Sequence, residues 1–201
     1  MCRVGPRLLD FQSAAPLALI TLAGLGLLAG CVQTSMLPAR QFDGGETALS
    51  ASLHVPPRYY DTATELSGQF TAGLGGGGDL SLNVSASEAF VTVGVAPRMY
   101  LTDRLTLQGQ VRAANLSDDT HRLAVAGLQS VPSGQSPFYV GAYGGALEET
   151  GPLVGARVGA TFDLGASTTL QIEGDGSYAP GADGESEIPG RISIGIFRLF
   201  D

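Results

Sequence analysis

The chain alternates, and this constrains its fold more than any other feature. From Ala89 to Leu101, Val91, Val93, Val95, Met99 and Leu101 share one face, and Thr92, Gly94, Arg98 and Tyr100 share the other. A period of two belongs to an extended strand with one apolar and one polar side. The pattern recurs through the chain. Leu49, Ala51, Leu53 and Val55 oppose Ala48, Ser50, Ser52 and His54, and Leu105, Leu107, Val111 and Ala113 oppose Thr106, Gln108, Gln110 and Arg112. Val154, Ala156, Val158, Ala160 and Phe162 oppose Gly155, Arg157, Gly159 and Thr161, and Ile192, Ile194 and Ile196 are in phase near the end. No stretch beyond the N-terminal apolar run holds a helical period. Glycine, at 29 of 201 residues, also disfavours helix. A charged fraction of 15 % argues against disorder, which favours charge-rich, apolar-poor chains.

Turn formers divide the alternation into about ten strands, each near the 9–11 residues of a tilted membrane strand. The count falls to eight if 64–87 is a loop insertion. Thr102–Arg104, Val131–Pro137 and Leu164–Ser167 are short turns. Asn115–His121 and Ala179–Pro189 are read as longer polar loops. Short turns at one end and long loops at the other suit an antiparallel up-and-down β-barrel. Phe138–Leu147 is aromatic and glycine-rich, and its facing is ambiguous. Leu123 and Val125 are in phase on a weaker strand.

The N-terminus has a different grammar. Arg3 and Arg7 precede an apolar stretch, Ala14–Leu28, which ends in Leu28-Ala29-Gly30-Cys31. Charge, apolar run and small residues in that order form an export signal. The run is short of the roughly 20 residues that a helical span needs. Its end resembles the lipobox of bacterial lipoproteins. That resemblance implies cleavage before Cys31 and a diacylglyceryl group on its thiol, with palmitate-type chains contributing about 0.8 kcal/mol per buried CH₂. Val32 follows, where an Asp in that family would favour inner-membrane retention, so the outer membrane is the implied destination. The expected organisation is a signal peptide over 1–30, a lipidated tether over 31–44 and a barrel over 45–201.

There is no lysine. Eleven arginines less Arg3 and Arg7 leave nine, and nineteen acids less Asp10 leave eighteen, so the exported chain is acidic. It has no basic patch for nucleic acid. Cys2 leaves with the signal, so no thiol pair remains for a disulfide or a cysteine metal site.

Two barrels fit the alternation. A soluble barrel turns its apolar face inward; a membrane barrel turns it to lipid and lines its lumen with the polar face. The polar face is mostly Thr, Ser, Gln and Gly, whereas a soluble surface carries about 25–35 % charged residues of both signs. The membrane barrel is therefore favoured. Arg98, Arg112, Arg157, Glu173 and Asp175 would form a lumen charge network, with Arg112 or Arg157 pairing Glu173 or Asp175. Tyr100, Tyr178 and Phe200 are candidates for an interface girdle.

Gly30-Cys31, Gln33-Thr34, Gly45-Glu46-Thr47-Ala48, Tyr100–Leu105 and the terminal Arg191–Phe200 together resemble an uncharacterised family of bacterial outer-membrane β-barrel lipoproteins. The resemblance implies an architecture, with outer-membrane lipid and the barrel-assembly and lipoprotein-sorting machineries as partners. It implies no activity. Omptin proteases and lipid A deacylases share the barrel, but their active-site patterns are not matched here.

Candidate chemistry is thin. Asp118, Asp119 and His121 would supply a carboxylate–His pair for activating water, against a plain turn-rich loop. Asp183, Glu185 and Glu187 lack EF-hand spacing. Gly75–Gly78 has no Lys-Ser/Thr after it and reads as a turn. His54 stands alone. The expectation is a lipid-anchored outer-membrane β-barrel with a structural or surface-interaction role, no catalysis and no cofactor or metal. A tethered lipocalin-like barrel that binds an apolar ligand, and a barrel enzyme using the Asp118–His121 loop, are the alternatives.

Overall fold

A computed structural model describes residues 36–55, 64–88, 90–116, 119–133, 135–148, 151–180, 186–187 and 190–200. Eleven strands follow in order: β1 (Thr47–Val55), β2 (Glu65–Gly73), β3 (Gly78–Ala86), β4 (Phe90–Thr102), β5 (Leu105–Leu116), β6 (Asp119–Ser130), β7 (Phe138–Leu147), β8 (Gly151–Gly165), β9 (Thr168–Pro180), β10 (Ser186–Glu187) and β11 (Gly190–Phe200). Each strand from β1 to β9 pairs antiparallel with the next. β9 also pairs with β11, and β11 with β1. Ten strands thus close an up-and-down barrel, and the two-residue β10 pairs only with β9, outside the ring. Closure leaves the ring without an unpaired edge. Because β2 and β3 are members of the ring, 64–87 is wall rather than insertion.

The links sort by end only in part. Residues 74–77, 103–104, 131–137 and 166–167 lie at the mouth where β1 starts and β11 finishes, here the terminal mouth. Between strands that meet at the distal mouth the sequence spacing is long over 56–64 and over 181–189, the latter including β10, but short over 87–89, 117–118 and 148–150. The expected loop Asn115–His121 is mostly ladder, with Asn115 opposite Thr120 and Leu116 opposite Asp119. Its turn-forming composition hid a backbone that stays paired nearly to the tip. Gly75, Gly76 and Gly77 all take positive φ, which lets a glycine run reverse the chain between β2 and β3.

The wall is inverted relative to a soluble barrel. Val93 is 54 % exposed and Ile194 46 %, and Leu107, Val95 and Ile192 also face outward. Gln108, Gln110, Arg112, Arg157, Glu173 and Ser193 are buried inside. Val158 shares outward parity with its exposed partner Val140 yet is only 8 % exposed. One panel departs from the scheme. Leu123 and Val125 of β6, Tyr143 of β7 and Leu153 of β8 point inward and form a buried apolar cluster. The same panel shows Ala124, Ala126, Ala142 and Ala156 to the outside.

The stretch 36–43, assigned from sequence to the tether, packs inside the barrel at the terminal mouth. Met36, Leu37, Ala39 and Phe42 are buried. Residues 1–35, including Cys31 and the export signal, lie outside the described residues.

Candidate functional site in the lumen

Alternation delivers every inward side chain to one enclosed space, where a charge must find a partner or cost several kcal/mol. Three groups result. Near the terminal mouth, Arg98 donates from Nε to Asp79 Oδ1 at 2.8 Å and from Nη2 to Asp79 Oδ2 at 2.7 Å. This is the fork geometry that makes Arg–carboxylate pairs strong. Arg98 Nη1 also donates to the Pro38 carbonyl, and the Tyr100 hydroxyl donates to Asp79. The Phe42 N–H donates to Tyr100 Oη at 2.7 Å. The Phe42 ring lies 5.1 Å from the Arg40 guanidinium and 5.7 Å from that of Arg98, within cation–π range.

The second group centres on Arg157 of β8. Its Nη1 is 3.9 Å from Glu173 Oε2, and its Nε is 3.9 Å from Asp175 Oδ2. Tyr139 donates to Glu173 at 2.9 Å and Tyr143 donates to Asp175 at 3.1 Å. The Arg157 guanidinium sits 5.1 Å from the Tyr143 ring. Glycine makes this possible: a Cβ on Gly155 would lie 2.2 Å from Tyr143 Cζ, and one on Gly159 would lie 2.3 Å from Tyr139 Cζ.

The third group lies toward the distal mouth. Arg112 Nη2 donates to Glu65 Oε1 at 2.8 Å and to Ser85 Oγ at 2.6 Å. Arg191 Nη1 is 3.9 Å from Glu65 Oε2. His54 Nδ1 is 2.7 Å from Ser193 Oγ, and its Nε2 is 2.8 Å from Ser67 Oγ and 3.2 Å from Ser52 Oγ. A histidine between serines has the outline of an activated nucleophile. Here, however, the nearby carboxylate Glu65 bonds Arg112, and His54 and its serines are all buried.

The five lumen charges singled out from sequence are therefore distributed among three groups. Arg157 faces Glu173 and Asp175, Arg112 bonds Glu65, and Arg98 bonds Asp79. Sequence reasoning missed Glu65, Asp79, Arg191 and the tyrosines. Glu65 opens β2 and Asp79 follows the glycine turn, positions where an acid reads as solvated. Tyr100 is no girdle residue: it shares parity with Arg98 and bonds Asp79 in the lumen. Tyr178 and Phe200 do face outward, and Phe70, Phe138 and Phe162 join Phe200 on the outer wall of the terminal half. Asp118, Asp183 and Glu185 lie outside the described residues, as do the side chains of Asp119, His121 and Glu187. Among the described residues, no group of three or more His, Cys, Asp or Glu side chains is placed to hold a metal ion.

No family model matches the chain, and no curated protein matches it. Similar solved structures include the KdgM porin, 9 % identical, with a TM-score of 0.49, covering 77 % of this chain and 99 % of that one. A de novo designed transmembrane β-barrel is 13 % identical, with a TM-score of 0.36 over 80 % of this chain and 99 % of that one. The outer membrane channel DcaP of Acinetobacter baumannii is 12 % identical, with a TM-score of 0.38 over 87 % and 69 %. Likenesses this distant say nothing about activity.

Proposed function

We propose that this chain is an outer-membrane-spanning β-barrel lipoprotein with a structural or surface-interaction role and no catalysis. One observation carries the reading: the apolar face of the wall points out and the ionic side chains of the mid-wall point in, while the outward Arg122 and Arg198 stand near strand ends. In water this arrangement would expose a continuous hydrophobic belt, which soluble monomers avoid. In a bilayer the same belt meets hydrocarbon, and closure satisfies the backbone without water. The outward phenylalanines of the terminal half and Tyr178 suit the interfaces. The lumen favours a closed element over an open pore, since ion groups, tyrosines and the segment 36–43 occupy it. A soluble lipocalin-like barrel would need an apolar interior, and the inward apolar cluster is confined to β6–β8.

Lipid attachment at Cys31 belongs to the same proposal. Cys31 is five residues before Met36, and an extended chain covers up to about 3.6 Å per residue. That reach, about 18 Å, suffices to carry the thiol from mid-lumen to a barrel mouth. The test is carbonate extraction with heat-modifiable gel mobility, together with fatty-acid labelling of wild type and Cys31→Ala. A carbonate-resistant, heat-shifted band whose label is lost in Cys31→Ala is expected. Release by carbonate refutes the spanning barrel, and label retained in Cys31→Ala refutes the anchor.

A further inference from the structure

We propose that the lumen is a binding site for an extended peptide, occupied by the chain's own Met36–Phe42, which thereby closes the barrel to small polar solutes. The closing function rests on the membrane-spanning reading; the peptide site does not. Gln171 of β9 reads the backbone as a neighbouring strand would. Its Oε1 accepts from the Ala39 N–H at 3.0 Å, and its Nε2 donates to the Leu37 carbonyl at 2.9 Å. Between them, Pro38 has no N–H to satisfy, and its carbonyl takes Arg98 Nη1. Each polar backbone group from the Leu37 carbonyl to the Pro38 carbonyl and the Ala39 N–H thus has a wall partner, which a buried irregular segment requires. Tyr100 receives the Phe42 N–H and ends the run.

The wall is also shaped for this occupant. A Cβ on Gly195, midway along β11, would lie 2.1 Å from Met36 Cε, and one on Gly73, at the terminal mouth, would lie 2.0 Å from the Asp43 carbonyl oxygen. The segment belongs to no strand. A few wall side chains hold its backbone; the neutral bonds contribute about 0.5–1.5 kcal/mol each and the Arg98 bond about 1.5–3 kcal/mol, few enough for the segment to be displaced. On the opposite wall, buried Thr106, Gln108 and Gln129 carry side-chain atoms without a partner among the described residues. Those hydroxyl and amide groups suit hydrated ions and small neutral polar solutes.

The test uses the full chain with Cys2→Ser and Cys31→Ser, adding Leu37→Cys for thiol labelling, since Leu37 is buried and Met36 must stay in place. Gln171→Leu removes both contacts to the segment, together with the Nε2 donation to Tyr139 Oη at 2.6 Å, and Gly195→Val fills the space of the Met36 side chain. Variants are compared after a heat-modifiability check of folding. In detergent, labelling of the introduced thiol by a membrane-impermeant maleimide is expected to be slow in the parent and at least tenfold faster with Gln171→Leu or Gly195→Val. In planar bilayers, KCl conductance is expected to rise at least tenfold in the same variants. Folded variants with parental labelling overturn the peptide site. Faster labelling without added conductance overturns the closing role. Because labelling is measured in detergent, it tests the peptide site even if the barrel does not span a membrane.

Discussion

Replacing Arg98 by methionine should cost more stability than removing Arg98 and its partner together. The Arg98 and Asp79 side chains are 2 % and 0 % exposed, and two hydrogen bonds of 2.7–2.8 Å join them. Arg98→Met strands a carboxylate with no water around it, and breaking a buried pair from one side costs about 3–5 kcal/mol. Asp79→Leu strands the guanidinium and belongs in the same range. The double variant removes both charges. It still leaves Tyr100 without its acceptor and Pro38 without its donor, at about 1 kcal/mol each, so its cost is about 2 kcal/mol. Urea unfolding in micelles provides the assay, with linear extrapolation of the free energy. Far-ultraviolet circular dichroism is the signal, since the chain has no tryptophan. The predicted order is that each single variant is less stable than the double. A double variant as destabilised as the two singles summed would show that the charges do not depend on each other, and the lumen-pairing argument would fail.

Two further outcomes follow from the wall. Val95→Arg, near the middle of β4 and facing outward, should destabilise the folded barrel in lipid by about 2–4 kcal/mol; a loss under about 0.5 kcal/mol in liposome unfolding titrations would mean that Val95 does not face hydrocarbon. Gly159→Ala should cost about 1–3 kcal/mol by overpacking, because its methyl would meet the Tyr139 ring and the Ile172 carbonyl. Gly68→Ala, whose nearest neighbour is 4.0 Å away, should leave the unfolding midpoint near that of wild type.

Period-two alternation made the ten-strand barrel legible, because a strand sorts its residues by parity alone. Parity also placed Arg98, Arg112, Arg157, Glu173 and Asp175 on one face, though not who meets whom. Partners depend on register: Ser193 comes opposite His54, and Asp175 opposite both Arg157 and Arg191. Tyr100 was readable as luminal from its parity with Arg98; its position near a strand end suggested the girdle instead. The segment 36–43 was not readable, since Pro38 and Gly44-Gly45 suggest a linker. The available hint was composition: Met36, Leu37 and Phe42 are apolar for a solvated tether. Leu123 and Val125 were legible only as in phase; they face inward because a mixed wall can place its bulky residues inside when the outer neighbours are alanines.

The central claim is that hydrocarbon, not water, covers the outward face. Bimane attached to Val93→Cys, Ile194→Cys or Gln108→Cys, in a Cys2→Ser/Cys31→Ser chain reconstituted in liposomes, reads this position by position. Doxyl-labelled lipid is predicted to quench the probe at positions 93 and 194 and to spare it at 108. Quenching by aqueous iodide at 93 and 194, with no effect of doxyl lipid, would contradict the account.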